Sequence, residues 1–120
     1  MNGRFVYQEK HQKFTHAHEA ARILSGKWIV AVLILLAGGP RTHNDLARAT
    51  GLEENKPLDR ALHRLVSARL IDRTVHNVRG SGPRVRYCLT NRGYSVLPII
   101  DDLAGWWQAV DVGQQSGGPE

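Results

Sequence analysis

The chain has one cysteine, Cys88, among 120 residues, so no disulfide can form within it. That excludes a disulfide-stapled secreted scaffold and favours a reducing compartment. Long apolar runs are also lacking. The longest, Trp28 to Ala37, is about half the ~20 residues that a membrane span needs, so it reads as a buried core helix and no membrane partner is expected. Residues 1–22 are polar and hold no apolar signal core, which makes the cytoplasm the expected location. No G-x-S-x-G, H-E-x-x-H, phosphate-binding loop or paired-cysteine motif appears, so neither catalysis nor a cofactor is expected. The six histidines are scattered, and His16 and His18 point to different faces of a helix. No cysteine or carboxylate set completes a metal site around them.

What is present is an ordinary globular mix, 42% hydrophobic and 22% charged, in a length suited to one domain. Sixteen Lys/Arg against eleven Asp/Glu give a net charge of +5. The excess is uneven. Residues 1–40 sum to +3, residues 41–92 to +6 and residues 93–120 to −4. A basic bias confined to one stretch points to one working face and a polyanionic partner.

Residues 1–14 have no clean period and read as an N-terminal arm. Residues 15–24 suit a short helix with Thr15 as N-cap, ended by Ser25-Gly26. Lys27 to Ala37 is a strongly apolar second helix, stopped by Gly38-Gly39-Pro40. Thr42 caps a third helix, with Asp45 three residues on as a form of capping box. Leu46, Ala47 and Ala49 are expected inward, and Gly51 is a suitable residue just past the end. Asn55 is the expected cap of a fourth helix, Lys56–Arg69, with Pro57 in its first turn. There Leu58, Ala61, Leu62, Leu65 and Val66 repeat at helical spacing, while Lys56, Asp59, Arg60, His63, Arg64 and Ser67 take the opposite face.

After Leu70 the period changes to two. Ile71–Val78 and Arg84–Leu89 read as strands joined by Gly80-Ser81-Gly82-Pro83, a hairpin with Arg79, Arg84 and Arg86 about its tip. Thr90 caps a last helix from Asn91 to about Val110, apolar for a terminal element and interrupted by Pro98. Residues 113–120 read as a disordered tail, which leaves residues 15–112 as the one folded domain.

This order predicts a mainly α fold with a small β-hairpin, a winged helix-turn-helix flanked by N- and C-terminal helices. A helix fits the major groove of duplex DNA with its first turns at the base edges. A glycine-tipped basic hairpin can lie along a neighbouring minor groove or phosphate ridge. The expected DNA contacts are Asn55, Lys56, Arg60, His63 and Arg64 from the reading helix and Arg79, Arg84 and Arg86 from the wing. Arg41 and Asn44 are expected against the backbone at the start of the support helix. The plainer alternative for each is a solvated charged face, and for Asp59 a pairing with a neighbouring cation.

Several ordered blocks resemble the HxlR-type winged-helix transcriptional regulators of bacteria, distant relatives of the MarR group. Ser25-Gly26-Lys27-Trp28 is similar to that family's GKW helix start. Gly39-Pro40-Arg41 with Asn44-Asp45-Leu46 is similar to its GPRRFxEL stretch. Leu58, Leu62, Leu65 and Leu70-Ile71 match the rhythm of its reading helix, and Val85-Arg86-Tyr87, Leu89-Thr90 and Gly93 match its wing-to-helix signature. The resemblance spans roughly Ala20 to Trp107. It implies a homodimer on a near-palindromic DNA operator, with the N- and C-terminal helices as dimerisation helices that form most of the contact between copies. Many members carry a redox-sensing cysteine before the first helix. This chain has none there, and Cys88 reads as an inert, half-buried wing thiol. His43 stands where the family usually has phenylalanine, and Glu53-Glu54-Asn55 replaces the usual serine cap.

Trp28, Leu103, Trp106 and Trp107 are the expected dimerisation residues. The tryptophans alternatively line a pocket for a small aromatic effector. The overall expectation is a sequence-specific, double-stranded-DNA-binding regulator, nucleoid-associated when bound. The rival reading is a sensor or sequestering protein for an aromatic ligand, with DNA binding secondary.

Overall fold

The computed structural model describes the backbone of residues 2–51 and 56–116, and the side chains of residues 11–51 and 56–110. It begins with one long helix, α1 (Asn2–Leu24). No glycine or proline interrupts the chain from Arg4 to Leu24, so a helix once nucleated has nothing to stop it. The expected arm and the Thr15 cap are thereby corrected. Thr15 lies mid-helix and its hydroxyl donates to the His11 carbonyl at 2.9 Å. Of the described α1 side chains, only Ile23 and Leu24 reach the core, and Phe14 is 68% exposed.

The second helix, α2 (Ile29–Leu36), is the centre of the fold. Ile29, Val32, Leu33 and Leu36 repeat at i, i+3, i+4 and i+7, and all are buried. It is shorter than the expected Lys27–Ala37 because Trp28, its N-cap, takes a left-handed conformation (φ 71°) in the tight reversal from α1. At the other end Arg41 donates from Nε to the Leu35 carbonyl at 2.9 Å, placing a cation on the negative pole of α2.

Arg41–Thr42 forms a short strand, β1, that the period-two pattern could not reveal. Thr42 then caps α3 (His43–Thr50). Its hydroxyl accepts from the Asp45 N–H at 3.1 Å, and its own N–H donates to Asp45 Oδ2 at 3.3 Å, a complete capping box. The Thr42 N–H foremost, then the Thr42 hydroxyl and Arg48, lower the Asp45 carboxyl below its ordinary value of 3.8. Leu46 is buried and Ala47 half-buried, whereas Ala49, expected inward, is exposed. Gly51 closes the helix in the left-handed region.

In α4 (Lys56–Ser67) Leu58, Ala61, Leu62 and Leu65 are buried, again at i, i+3, i+4 and i+7. Val66, expected on that face, is exposed. The helix stops two residues short of Arg69 in a Schellman turn. Leu70 N–H reaches the Leu65 carbonyl and Arg69 N–H the Val66 carbonyl, both at 3.0 Å. The turn puts Arg69, a residue with a Cβ, at φ 62°.

The hairpin is β2 (Ile71–Val78) and β3 (Gly82–Leu89), antiparallel from Ile71↔Leu89 to Val78↔Gly82. The second strand starts two residues earlier than expected, leaving a three-residue turn of Arg79–Ser81. With β1 on the free edge of β3 the sheet order is β1-β3-β2. Only the base of the hairpin is buried, at Ile71 and Leu89; Val85, Tyr87 and Cys88 are half-buried and the tip projects into solvent.

The last helix, α5 (Asn91–Ser116), starts where Thr90 joins two elements. The Thr90 hydroxyl donates to the Arg69 carbonyl at 2.6 Å and accepts from Gly93 N–H at 3.0 Å. Gly93 lies so close to the Leu70 carbonyl that no Cβ would fit. The helix runs through Pro98 to Ser116, so the tail expected from residue 113 is helical in its first part. Residues 117–120 of that tail lie outside the described residues. Ile100 is the last buried residue of α5 among the described residues, and residues 101–109 after it are exposed. The radius of gyration is 19.0 Å, against about 14 Å for a compact chain of this length.

Candidate nucleic-acid interface

The outward side of α4 has a crest and two flanks. At about 100° per residue, Lys56, His63 and Ser67 line up along the crest. Arg60 and Arg64 lie on one flank, with Asp59 and Val66 on the other. All four basic residues named for this helix (Lys56, Arg60, His63 and Arg64) are exposed, because the buried i, i+3, i+4, i+7 stripe leaves them no other side.

Asp59 would oppose an anion here, but it is engaged. His43 Nε2 lies 2.7 Å from Asp59 Oδ1, so the imidazole donates and the carboxylate accepts. The pair links the first residue of α3 to the first turn of α4, which are sixteen residues apart. Asp59 was expected to pair with a neighbouring cation, and its partner is the imidazole of His43 on the support helix. Asp45 is similarly engaged with Arg48 at 2.9 Å.

Two grooves connect α4 and α3 to the wing. Between α4 and the sheet lies one of about 270 Å³ lined by Asp59, Leu62, His63, Val66, Arg73 and Tyr87. Arg73 and Tyr87 are cross-strand partners, so both side chains stand on the α4 face of the sheet. Between α3 and the wing lies a second groove of about 430 Å³, which brings His43 and Asn44 beside Ser81, Pro83 and Arg84.

The expected contacts therefore separate. Lys56, Arg60, His63 and Arg64 share α4, and Asn44 joins Arg84 at the wing groove. Arg79 is exposed in the turn. Arg86 alternates with Tyr87, so it stands on the sheet face away from α4. Arg41 is half-buried and has a structural task at the end of α2. Asn55 lies outside the described residues. Arg73 was missed from the sequence. Its signal was the hairpin register, which sets it opposite Tyr87 once the turn is known.

The apolar residues separate as well. Trp28 packs against the core of its own chain, with Nε1 buried and without a hydrogen-bond partner among the described residues. Trp106 and Trp107 instead stand together, with centroids 5.9 Å apart, and are 61% and 64% exposed. With Ile99 (53%) and Leu103 (49%) they form an uncovered stripe along α5. Cys88 is half-buried in β3. No group of three or more potential metal ligands occurs among the described residues, and no helix there is long and apolar enough to cross a membrane.

The family model described as HxlR-like helix-turn-helix matches residues 23–114. An HTH-type transcriptional regulator of Methanothermobacter thermautotrophicus is 35% identical over 99 residues, covering 82% of this chain and 74% of that protein. The HTH-type transcriptional regulator YkvN of Bacillus subtilis is 31% identical over 96 residues, covering 79% of this chain and 80% of its own length. Among solved structures, a MarR-family transcriptional regulator from Enterococcus faecalis superimposes with a TM-score of 0.77 at 25% identity, covering 87% of this chain and 93% of that one.

Proposed function

The chain belongs to the HxlR-like helix-turn-helix family, and from that premise we propose that it is a transcriptional regulator that binds double-stranded DNA sequence-specifically as a homodimer. One observation carries the reading. A capped support helix and a reading helix are locked together by His43–Asp59, and the reading helix turns its cations outward beside a basic hairpin. The crest of α4 enters the major groove and selects bases with its first turns. Arg84, near the wing tip, and Asn44 hold the backbone. The family is one of regulators rather than enzymes, and no step here requires catalysis.

The exposed stripe Ile99, Leu103, Trp106 and Trp107 supports dimerisation, since an isolated chain would leave it in water. A two-fold pairing through α5 sets two reading helices about one DNA turn apart, on a near-palindromic operator. A small aromatic effector that altered their spacing would control binding. On this reading the protein acts in the cytoplasm, on the chromosome.

The test is fluorescence anisotropy with a duplex from the gene's own upstream region and a scrambled duplex, at two salt concentrations. The expected result is binding about 10³-fold tighter to the upstream duplex, weakening steeply with salt. Lys56→Ala, on the crest, is expected to relax base preference, and Arg84→Ala to weaken both duplexes alike. No binding to either duplex at low salt would refute the proposal. Trp quenching by aromatic metabolites without DNA binding would favour the sensor reading.

A further inference from the structure

A third cleft, of about 840 Å³, opens on the flank of α4 that faces away from the sheet. Lys27 and Gly26 form its far wall, Ile29 and Ala61 its apolar floor, and Arg60 and Arg64 its near wall. Arg64 is folded back onto the α1–α2 turn. A Cβ built on Gly26 would come within 2.6 Å of the Arg64 guanidinium, so the glycine is what lets it lie there.

Three cations thus line one cleft. The carboxylate at its edge, Asp59, is engaged by His43. Lys27, Arg60 and Arg64 form no ion pair among the described residues, although like charges held in a shared cleft repel. A cleft in which three cations outnumber one carboxylate focuses a positive field outward and draws an anion in.

The position of the cleft indicates which anion. A helix lying in the major groove is bordered by a phosphate strand on each side. The sheet-side flank of α4 meets one strand with Arg73 and the wing. The cleft lies along the other flank, opposite the wing.

We propose that this cleft is a DNA phosphate site, in which Lys27 with Arg60 and Arg64 holds the backbone strand on the side of the reading helix away from the wing. The proposal rests on the DNA-binding reading above and adds a contact outside the helix-turn-helix. The turn leading from α1 into α2 takes part in DNA binding. The working surface is then a clamp on both strands rather than a helix with one wing.

Lys27 is exposed, so Lys27→Ala leaves the core untouched. The full chain and its Lys27→Ala, Lys27→Arg and Lys13→Ala variants would be titrated with the upstream and scrambled duplexes across 50–200 mM salt. Lys13 is an exposed α1 lysine outside the cleft and controls for the loss of one charge. Each phosphate contact contributes about 0.9 to the slope of log affinity against log salt. Lys27→Ala is expected to weaken both duplexes by the same factor and to lower the slope by about 1.8 for a dimer. Its affinity would then fall about twelvefold less than wild type over that salt range. Lys27→Arg restores the wild-type slope, and Lys13→Ala keeps it. A Lys27→Ala variant with wild-type slope and an Arg84-dependent affinity would overturn this inference alone. So would a Lys13→Ala variant that matches Lys27→Ala, or a loss confined to the upstream duplex. Failure of the wild-type chain to bind any duplex would instead remove the DNA reading beneath it.

Discussion

Trp106→Ala is the most direct perturbation of the proposed dimer. The residue is 61% exposed in the single chain and stands beyond the last buried turn of α5. An aromatic side chain of this size presents up to about 250 Å², so roughly 150 Å² is available for burial by a partner. At about 25 cal/mol per Å² that is about 4 kcal/mol for each copy. A two-fold interface contains the residue twice, which doubles the upper bound. Half of that total, about 4 kcal/mol, corresponds to a thousandfold rise in the dimer dissociation constant. Sedimentation velocity over a concentration series reads this directly. The wild type is expected to sediment as a dimer at micromolar concentration, and the variant as a monomer. Far-UV circular dichroism and the melting curve of the monomeric unit should hold, because Trp106 is not among the residues packed on the core. A variant with the wild-type dissociation constant would refute the placement of the interface on α5. A wild type that stays monomeric at all concentrations would refute the dimer.

Two further predictions concern the scaffold. Arg69→Gly removes a Cβ held at φ 62° in the Schellman turn and is expected to stabilise the chain by about 1 kcal/mol. That is a rise in melting temperature of about 4 °C, and an unchanged or lower urea midpoint would contradict it. Asp45 gains its Thr42 hydrogen bonds only on folding, and they lower its carboxyl below 3.8. A lowered folded value means stabilisation that is present above the unfolded value and lost as pH falls through the folded one. Asp45→Asn should therefore cost stability at pH 7, with the gap to wild type closing below about pH 4. Urea titrations at several pH values measure this, and a gap that widened on acidification would count against it.

The sequence alone carried the parts of this protein that are set by neighbours along the chain. Thr42, Asp45 and Gly51 mark the ends of α3 by their side-chain chemistry and backbone freedom. The stripe in α4 announces both its buried side and its cationic side, since a 3.6-residue period fixes one when the other is known. The period-two run starting at Ile71 located the wing. Other features depend on residues far apart in sequence, and only the tertiary structure decided them. The two residues of β1 have no pattern of their own and become a strand because the edge of β3 lies beside them. The length of α1 had no positive local signal, because of its described side chains only Ile23 and Leu24 reach the core. Arg41 was expected at the DNA, yet the nearby end of α2 claims its Nε. Asp59 is paired across helices, Arg73 reaches the reading helix through the hairpin register, and Arg64 rests on Gly26 because two elements meet there. Local pattern decides which face of an element is buried. Which charges share a cleft depends on how the elements are packed against one another, and that packing is set by the single core common to α2, α3, α4 and the hairpin base.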